Sequence, residues 1–177
     1  VLTDYDLNQV GFHTAARINV GGIETLIGAT GYTGEYGYEL FFPEEKAVAM
    51  WEMLLDAGAA EGLLAHGLAA RDSLRFEACL PLYGHEITAD LEPMGARLGW
   101  VCDWDKGPWL GREAVLKHKL EKSGPLLVGL EMIDRGVPRE HYKVAAGDEV
   151  IGWVTTGMKA PTMDKFLALA YVPRPYN

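Results

Sequence analysis

Cysteine is scarce in this chain of 177 residues, which has two, Cys79 and Cys102. Neither belongs to a CxxC pair, so a disulfide framework is excluded, and both are expected as buried free thiols of a reducing compartment. The five histidines, His13, His66, His85, His118 and His141, show no HxxxH or HExxH spacing and have no cysteine pair beside them. No metal site is therefore expected. A GxSxG elbow is missing too, which leaves nucleophilic hydrolysis without support. No apolar run approaches the roughly 18 residues that span a bilayer, and no basic-then-apolar segment opens the chain, so no membrane partner is expected. Positive charge is in short supply, with 16 Lys+Arg against 25 Asp+Glu and a net charge of −9. That balance disfavours a broad electrostatic grip on nucleic acid. The five tryptophans are scattered rather than interleaved with basic residues, which suits a core better than base stacking.

What is present describes a globular protein. Half the residues are hydrophobic (49%) and 23% are charged, enough for a core and too apolar for disorder. The chain opens Val1-Leu2-Thr3 without an initiator Met, so it is expected to be processed or to be a piece of something longer. Arg17-Ile18-Asn19-Val20, a Gly21-Gly22 turn and Thr25-Leu26-Ile27-Gly28 read as a hairpin. Tyr38-Glu39-Leu40-Phe41-Phe42 alternates, with Tyr38, Leu40 and Phe42 on one face and Glu39 and Phe41 on the other. Pro43-Glu44-Glu45 starts a helix, whose stripe is Ala47, Met50, Trp51, Leu54 and Leu55 and whose stop is Gly58. A second helix is expected over 68–79, burying Ala70, Leu74 and Ala78, with Pro81 beyond it. A third is expected over 112–122. Ser123-Gly124-Pro125 then divides an α+β domain, 1–123, from a strand-only remainder, 124–177. Three or four strands cannot close a barrel, so that remainder is expected to be an incomplete antiparallel barrel.

Three features carry chemical interest. Gly31, Gly34 and Gly37 punctuate a loop with GxxGxxG spacing, which is not a phosphate-loop order and is followed by a strand, so a tight turn is the simpler reading. Glu39 is a carboxylate among Tyr38, Leu40, Phe41 and Phe42. It is expected either to be partly buried and to need donors (an arginine such as Arg71, backbone amides, or the N–H groups of a ligand) or to stand at an edge position facing water. Arg71 falls in the first turn of the second helix, against the helix dipole. It either pairs with Asp72 or Glu77 or is wanted for a carboxylate or a heteroaromatic edge.

Taken together, the segments resemble the aminomethyltransferase family, the T-protein of the glycine cleavage system. The resemblance runs through Gly31-Tyr32-Thr33-Gly34-Glu35, Gly37-Tyr38-Glu39-Leu40 and Gly67-Leu68-Ala69-Ala70-Arg71-Asp72-Ser73-Leu74-Arg75-Phe76-Glu77-Ala78. It continues in Leu82-Tyr83-Gly84, Leu98-Gly99-Trp100-Val101, Leu110-Gly111-Arg112-Glu113, Leu127-Val128-Gly129-Leu130-Glu131-Met132, Gly152-Trp153-Val154-Thr155-Thr156-Gly157 and Ala168-Leu169-Ala170-Tyr171-Val172-Pro173. It implies a partial folate-binding domain, an antiparallel sheet with packed helices, ahead of the incomplete barrel. Tetrahydrofolate is the implied cofactor and lipoylated H-protein the implied partner. The implied reaction moves a one-carbon unit from the aminomethyl-lipoyl arm to tetrahydrofolate and releases ammonia. By this resemblance Glu39 and Arg71 are the folate-binding residues. The family's N-terminal half, with its catalytic aspartate, has no counterpart here, so no catalytic residue is assigned and the chain alone is expected to be inactive. The resemblance also implies a cytoplasmic location, or the mitochondrial matrix in a eukaryote.

Some positions depart from the family's pattern. Arg97 stands where a glycine is general, and Met158-Lys159 and Asp164-Lys165 replace small residues. Lys106-Gly107-Pro108-Trp109 lacks the cysteine of the folate-binding relatives that assist iron–sulfur proteins. A folate-dependent demethylase and a non-catalytic remnant that binds folate or a partner are the alternative readings.

Overall fold

Gly21 and Gly22 turn the first hairpin at φ +55° and +88°, and the Gly22 N–H donates to Asn19 Oδ1 at 2.7 Å. Left-handed backbone of this kind is open to glycine at little cost. The hairpin joins β1 (Ala15–Val20) to β2 (Ile23–Gly28), and β3 (Glu39–Phe41) adds to the far side of β2 with Gly28 opposite Glu39. In this computed structural model, which describes residues 1–176, the chain separates into two compact units, Val1–Ala78 and Cys79–Asn177.

The first unit contains α1 (Ala47–Gly58), α2 (Leu68–Glu77) and the three-stranded antiparallel sheet. Val10, Ile18, Val20, Ile27, Ala29 and Met50 form its core, and Tyr38, Leu40 and Phe42 pack against them from the β3 region, as their alternation requires. The α1 stripe is narrower than its spacing suggests. Met50 is buried and Met53 and Leu54 lean on the core, but Ala47 and Trp51 face solvent. A helix laid on a single sheet buries one ridge, and position 51 falls on the outer flank. In α2 the buried pair is Arg75 and Phe76, at 1% and 3% exposure, whereas Ala70 and Leu74 are half-buried and Ala78 lies outside the helix and exposed. Hydrophobicity cannot mark an arginine as core, so the inward face is displaced by one position from the expected one.

The second unit holds α3 (Arg112–Glu121), which buries Val115, and an antiparallel sheet of β4 (Leu126–Glu131), β5 (Lys143–Ala146), β6 (Glu149–Ala160) and β7 (Lys165–Val172). The strand order is β4-β7-β6-β5, so the described strands leave both outer edges open and no barrel closes. The fold is α+β with a partial barrel. β7 is central, and Ala168, Leu169, Ala170, Tyr171 and Val172 are all buried. β6 crosses β7 so closely at Gly152 that an added Cβ would stand 1.9 Å from the Tyr171 carbonyl oxygen. Arg97 has φ +63°, the backbone region that favours glycine, and its Nε donates to the Leu127 carbonyl at 3.1 Å. Cys79 is exposed and Cys102 half-buried, so neither thiol is the buried one that the scarcity of cysteine suggests. Cys79 follows α2 at φ +56°, a turn that leaves its side chain outside.

Candidate functional site

Glu39 begins β3 on the sheet face opposite the core-facing Tyr38, Leu40 and Phe42. It is exposed rather than partly buried. The apolar neighbours in sequence belong to the other face or, like Phe41, are exposed beside it. Its carboxylate is held by Thr30, whose Oγ1 donates to Glu39 Oε2. Gly28, across the ladder from Glu39, makes room for this bond, since a Cβ there would stand 3.1 Å from Thr30 Oγ1.

Arg71 lies in the first turn of α2, and its backbone N–H donates to the Gly67 carbonyl at 3.2 Å. Its side chain is exposed, and the guanidinium carbon sits 4.5 Å above the centre of the Tyr32 ring. A cation over an aromatic face is stabilised by about 0.5–1 kcal/mol at an exposed position, enough to favour one orientation of a flexible side chain. Asp72 does not pair with Arg71. It accepts from Arg75 Nε at 2.7 Å instead. Among the described residues no ion pair joins Glu39 to Arg71 either. The two are linked through the segment Thr30-Gly31-Tyr32, whose first residue holds the carboxylate and whose third holds the guanidinium.

The glycine-punctuated loop has a specific reason for one of its glycines. Gly34 has φ +74°, and a Cβ there would come within 2.4 Å of the Ala78 Cβ, just past the end of α2. Gly31 and Gly37 face open space, so turn formation accounts for them less well than for Gly34. Beyond the loop, the hydroxyls of Tyr36 and Tyr38 are hydrogen-bonded, and Tyr38 reaches the Leu7 carbonyl at 3.2 Å. The Tyr36 hydroxyl, and then burial, push the Tyr38 phenol above its ordinary pKa.

The arrangement offers an exposed carboxylate with acceptor capacity, an exposed planar guanidinium, and an aromatic ring beside it. This donor set suits a flat heteroaromatic molecule carrying its own N–H donors and ring acceptors, which is the chemistry of a pterin. Sequence reading missed Thr30 and Tyr32. Both lie in or beside the GxxGxxG stretch, and the signal that could have found them is their pairing of two residue types, a hydroxyl and a ring, with the two candidates downstream. Among the described residues no group of three or more His, Cys, Asp or Glu could hold a metal ion, and no helix is long and apolar enough to cross a membrane.

Known proteins match nearly the whole chain. Residues 1–106 match the family model described as the GCVT N-terminal domain, and residues 126–177 match the glycine cleavage T-protein C-terminal barrel domain. An aminomethyltransferase of Caldanaerobacter subterraneus is 47% identical over 176 residues, covering 99% of this chain and 47% of the relative. One from Symbiobacterium thermophilum is 52% identical over 164 residues, covering 92% of this chain and 44% of the relative. The crystal structure of the glycine cleavage system aminomethyltransferase T from Bartonella henselae superposes with a TM-score of 0.85 at 33% identity, over 96% of this chain and 46% of that one. The chain thus spans about half the length of the curated relatives it matches, and it belongs to the glycine cleavage T-protein family.

Proposed function

We propose that this chain carries the folate-holding part of a tetrahydrofolate-dependent aminomethyltransferase, with Glu39 and Arg71 as its folate-binding residues. The observation that carries the reading is the pairing, in one unit, of an outward carboxylate held by Thr30 with an outward guanidinium laid on Tyr32. Glu39 would accept from pterin N–H groups, and Arg71 would donate to ring heteroatoms or to a carboxylate tail. When bound, tetrahydrofolate supplies the amine nitrogens that take up a one-carbon unit. The chain's own contribution is to bind and orient it.

In the complete reaction the donor is the aminomethyl group on the lipoyl arm of H-protein, and ammonia leaves as the one-carbon unit passes to folate. The chain alone binds without completing that transfer, because the family's acid lies outside the half that these residues represent. The division at Ser123-Gly124 separates the folate-binding portion from the barrel portion, and the location is cytoplasmic, or the mitochondrial matrix in a eukaryote. Methylene-tetrahydrofolate formed by the isolated chain from loaded H-protein would sink the claim of inactivity.

The test of the binding site is a tetrahydrofolate titration read by tryptophan fluorescence, run on the chain and on Glu39→Gln. Saturable binding, weakened roughly tenfold in the variant by loss of a charge-assisted hydrogen bond, is the expected result. Equal binding by both removes Glu39 from the site, and no binding by either removes folate from this half of the family fold.

A further inference from the structure

We infer that Thr30 and Tyr32 are positioning residues, which fix the exposed side chains of Glu39 and Arg71 in the orientation that a ligand meets. The inference rests on the folate reading for the identity of the ligand, but its geometric content is independent of it.

The physical problem is entropy. Glu39 and Arg71 are both exposed, and both side chains have many rotamers to lose when a ligand immobilises them. A site made of such groups binds weakly unless something orders them beforehand. The segment Thr30-Gly31-Tyr32 does this twice within three residues. The Thr30 hydroxyl donates to one carboxylate oxygen of Glu39, which holds the carboxylate plane and leaves the other oxygen for a ligand donor. The Tyr32 ring lies under the Arg71 guanidinium carbon at 4.5 Å, which restricts the orientations of the fork while the side chain stays exposed to a ligand.

The surrounding backbone is shaped to keep this segment in place. Gly28, opposite Glu39 on the ladder, leaves the space that the Thr30 hydroxyl uses, and a Cβ there would crowd it to 3.1 Å. Gly34 lets the rest of the loop approach Ala78 at the end of α2, the helix that carries Arg71. The loop is thereby tied to β2 at one end and to α2 at the other. Neither Thr30 nor Tyr32 is required to touch the ligand, so each acts through the residue it holds.

The test uses conservative and disruptive pairs. Thr30→Val removes the hydroxyl at nearly constant shape, and Thr30→Ser keeps it. Tyr32→Leu removes the aromatic face, and Tyr32→Phe keeps it. Two readouts are taken on the whole chain: tetrahydrofolate affinity, and the side-chain NMR signals of Glu39 and Arg71 without ligand. Thr30→Val should average the Glu39 side-chain couplings over several rotamers and weaken binding roughly three- to tenfold, with Thr30→Ser near the parent in both. Tyr32→Leu should shift the Arg71 Nε–H resonance toward its unstacked position and weaken binding to a similar extent, with Tyr32→Phe restoring both. The thermal midpoint separates these effects from loss of folding. Unchanged couplings and Arg71 resonance in Thr30→Val and Tyr32→Leu would overturn the inference, as would weakening that the conservative variants fail to rescue. Absence of binding by the parent would overturn the folate reading, and the ligand-free signals would still decide whether Thr30 and Tyr32 orient their partners.

Discussion

Arg75 and Asp72 are bonded one turn apart on α2, Nε to Oδ1 at 2.7 Å, with the arginine side chain 1% exposed and the aspartate 42% exposed. The pair spans the boundary between core and solvent. It brings a carboxylate that water still solvates to a guanidinium that water does not reach, and so offsets part of the cost of burying a cation. It also occupies Asp72, the immediate neighbour of Arg71, and leaves Arg71 to the Tyr32 ring.

Asp72→Asn should therefore lower stability by about 1–2 kcal/mol through loss of a charge-assisted bond at a partly wet position. Arg75→Ala should cost more, about 3–5 kcal/mol, because it empties a buried site and strands the groups built around it. Urea unfolding of the two variants reads the order, and an Arg75→Ala chain as stable as Asp72→Asn would show that the arginine's burial contributes little.

Gly34 combines two constraints that can be separated by mutation. Gly34→Ala forces a side chain into φ +74° and into a contact of 2.4 Å with the Ala78 Cβ. The backbone part costs about 1–2 kcal/mol and the clash adds to it. Adding Ala78→Gly should relieve the clash and leave the backbone cost, so the double variant should be more stable than Gly34→Ala alone. Thermal unfolding of the parent, the two single variants and the double variant checks this, and strict additivity of the two substitutions would exclude the contact.

In the second unit Glu86 is fully buried, and its carboxylate accepts from the Thr155 hydroxyl at 2.6 Å, the Thr156 hydroxyl at 2.5 Å and the Leu82 N–H at 3.0 Å. Its backbone carbonyl accepts from the Tyr171 hydroxyl at 2.8 Å. Thr155→Val and Thr156→Val each remove one hydroxyl partner from a buried carboxyl group, and each should destabilise by about 1–3 kcal/mol in urea unfolding. A change within a few tenths of a kcal/mol in both would mean that the carboxylate is satisfied without these hydroxyls.

The sequence was a good guide wherever one face was apolar and the other was not. The hairpin at Gly21-Gly22, the two faces of Tyr38–Phe42 and the extents of α1 and α3 all follow from local pattern and turn chemistry. The errors fall where a polar group does the work of an apolar one. Arg75 and Glu86 are among the most buried side chains in the protein, and no periodicity marks them, because their burial depends on partners distant in sequence or on a neighbouring turn. Glu39 shows the converse. Its apolar neighbours suggest burial, but the alternation had already placed it on the face away from Tyr38, Leu40 and Phe42, and that geometry decided its exposure. Arg97 shows a third limit. Its departure from the family's glycine is visible in the chain, but its positive φ and its bond to the Leu127 carbonyl are visible only in the fold.

Tyr171 ties the buried network to alkaline pH. Burial, with the negative charges of Glu86 and Glu92 adding to it, pushes its phenol up to about 12 from the ordinary 10.0. The folded pKa is raised, so the unfolded chain loses this proton first as pH climbs. The resulting stability is whole below pH 10 and is lost as pH rises toward about 12, by on the order of 2 kcal/mol. Tyr171→Phe gives up the hydrogen bond to the Glu86 carbonyl but has no proton to lose. It should therefore be less stable than the parent at pH 8, and the gap should narrow between pH 10 and 12. Urea midpoints of both proteins across that range measure the difference, and a gap that stays constant with pH would show that the Tyr171 phenol titrates alike in the folded and unfolded chains.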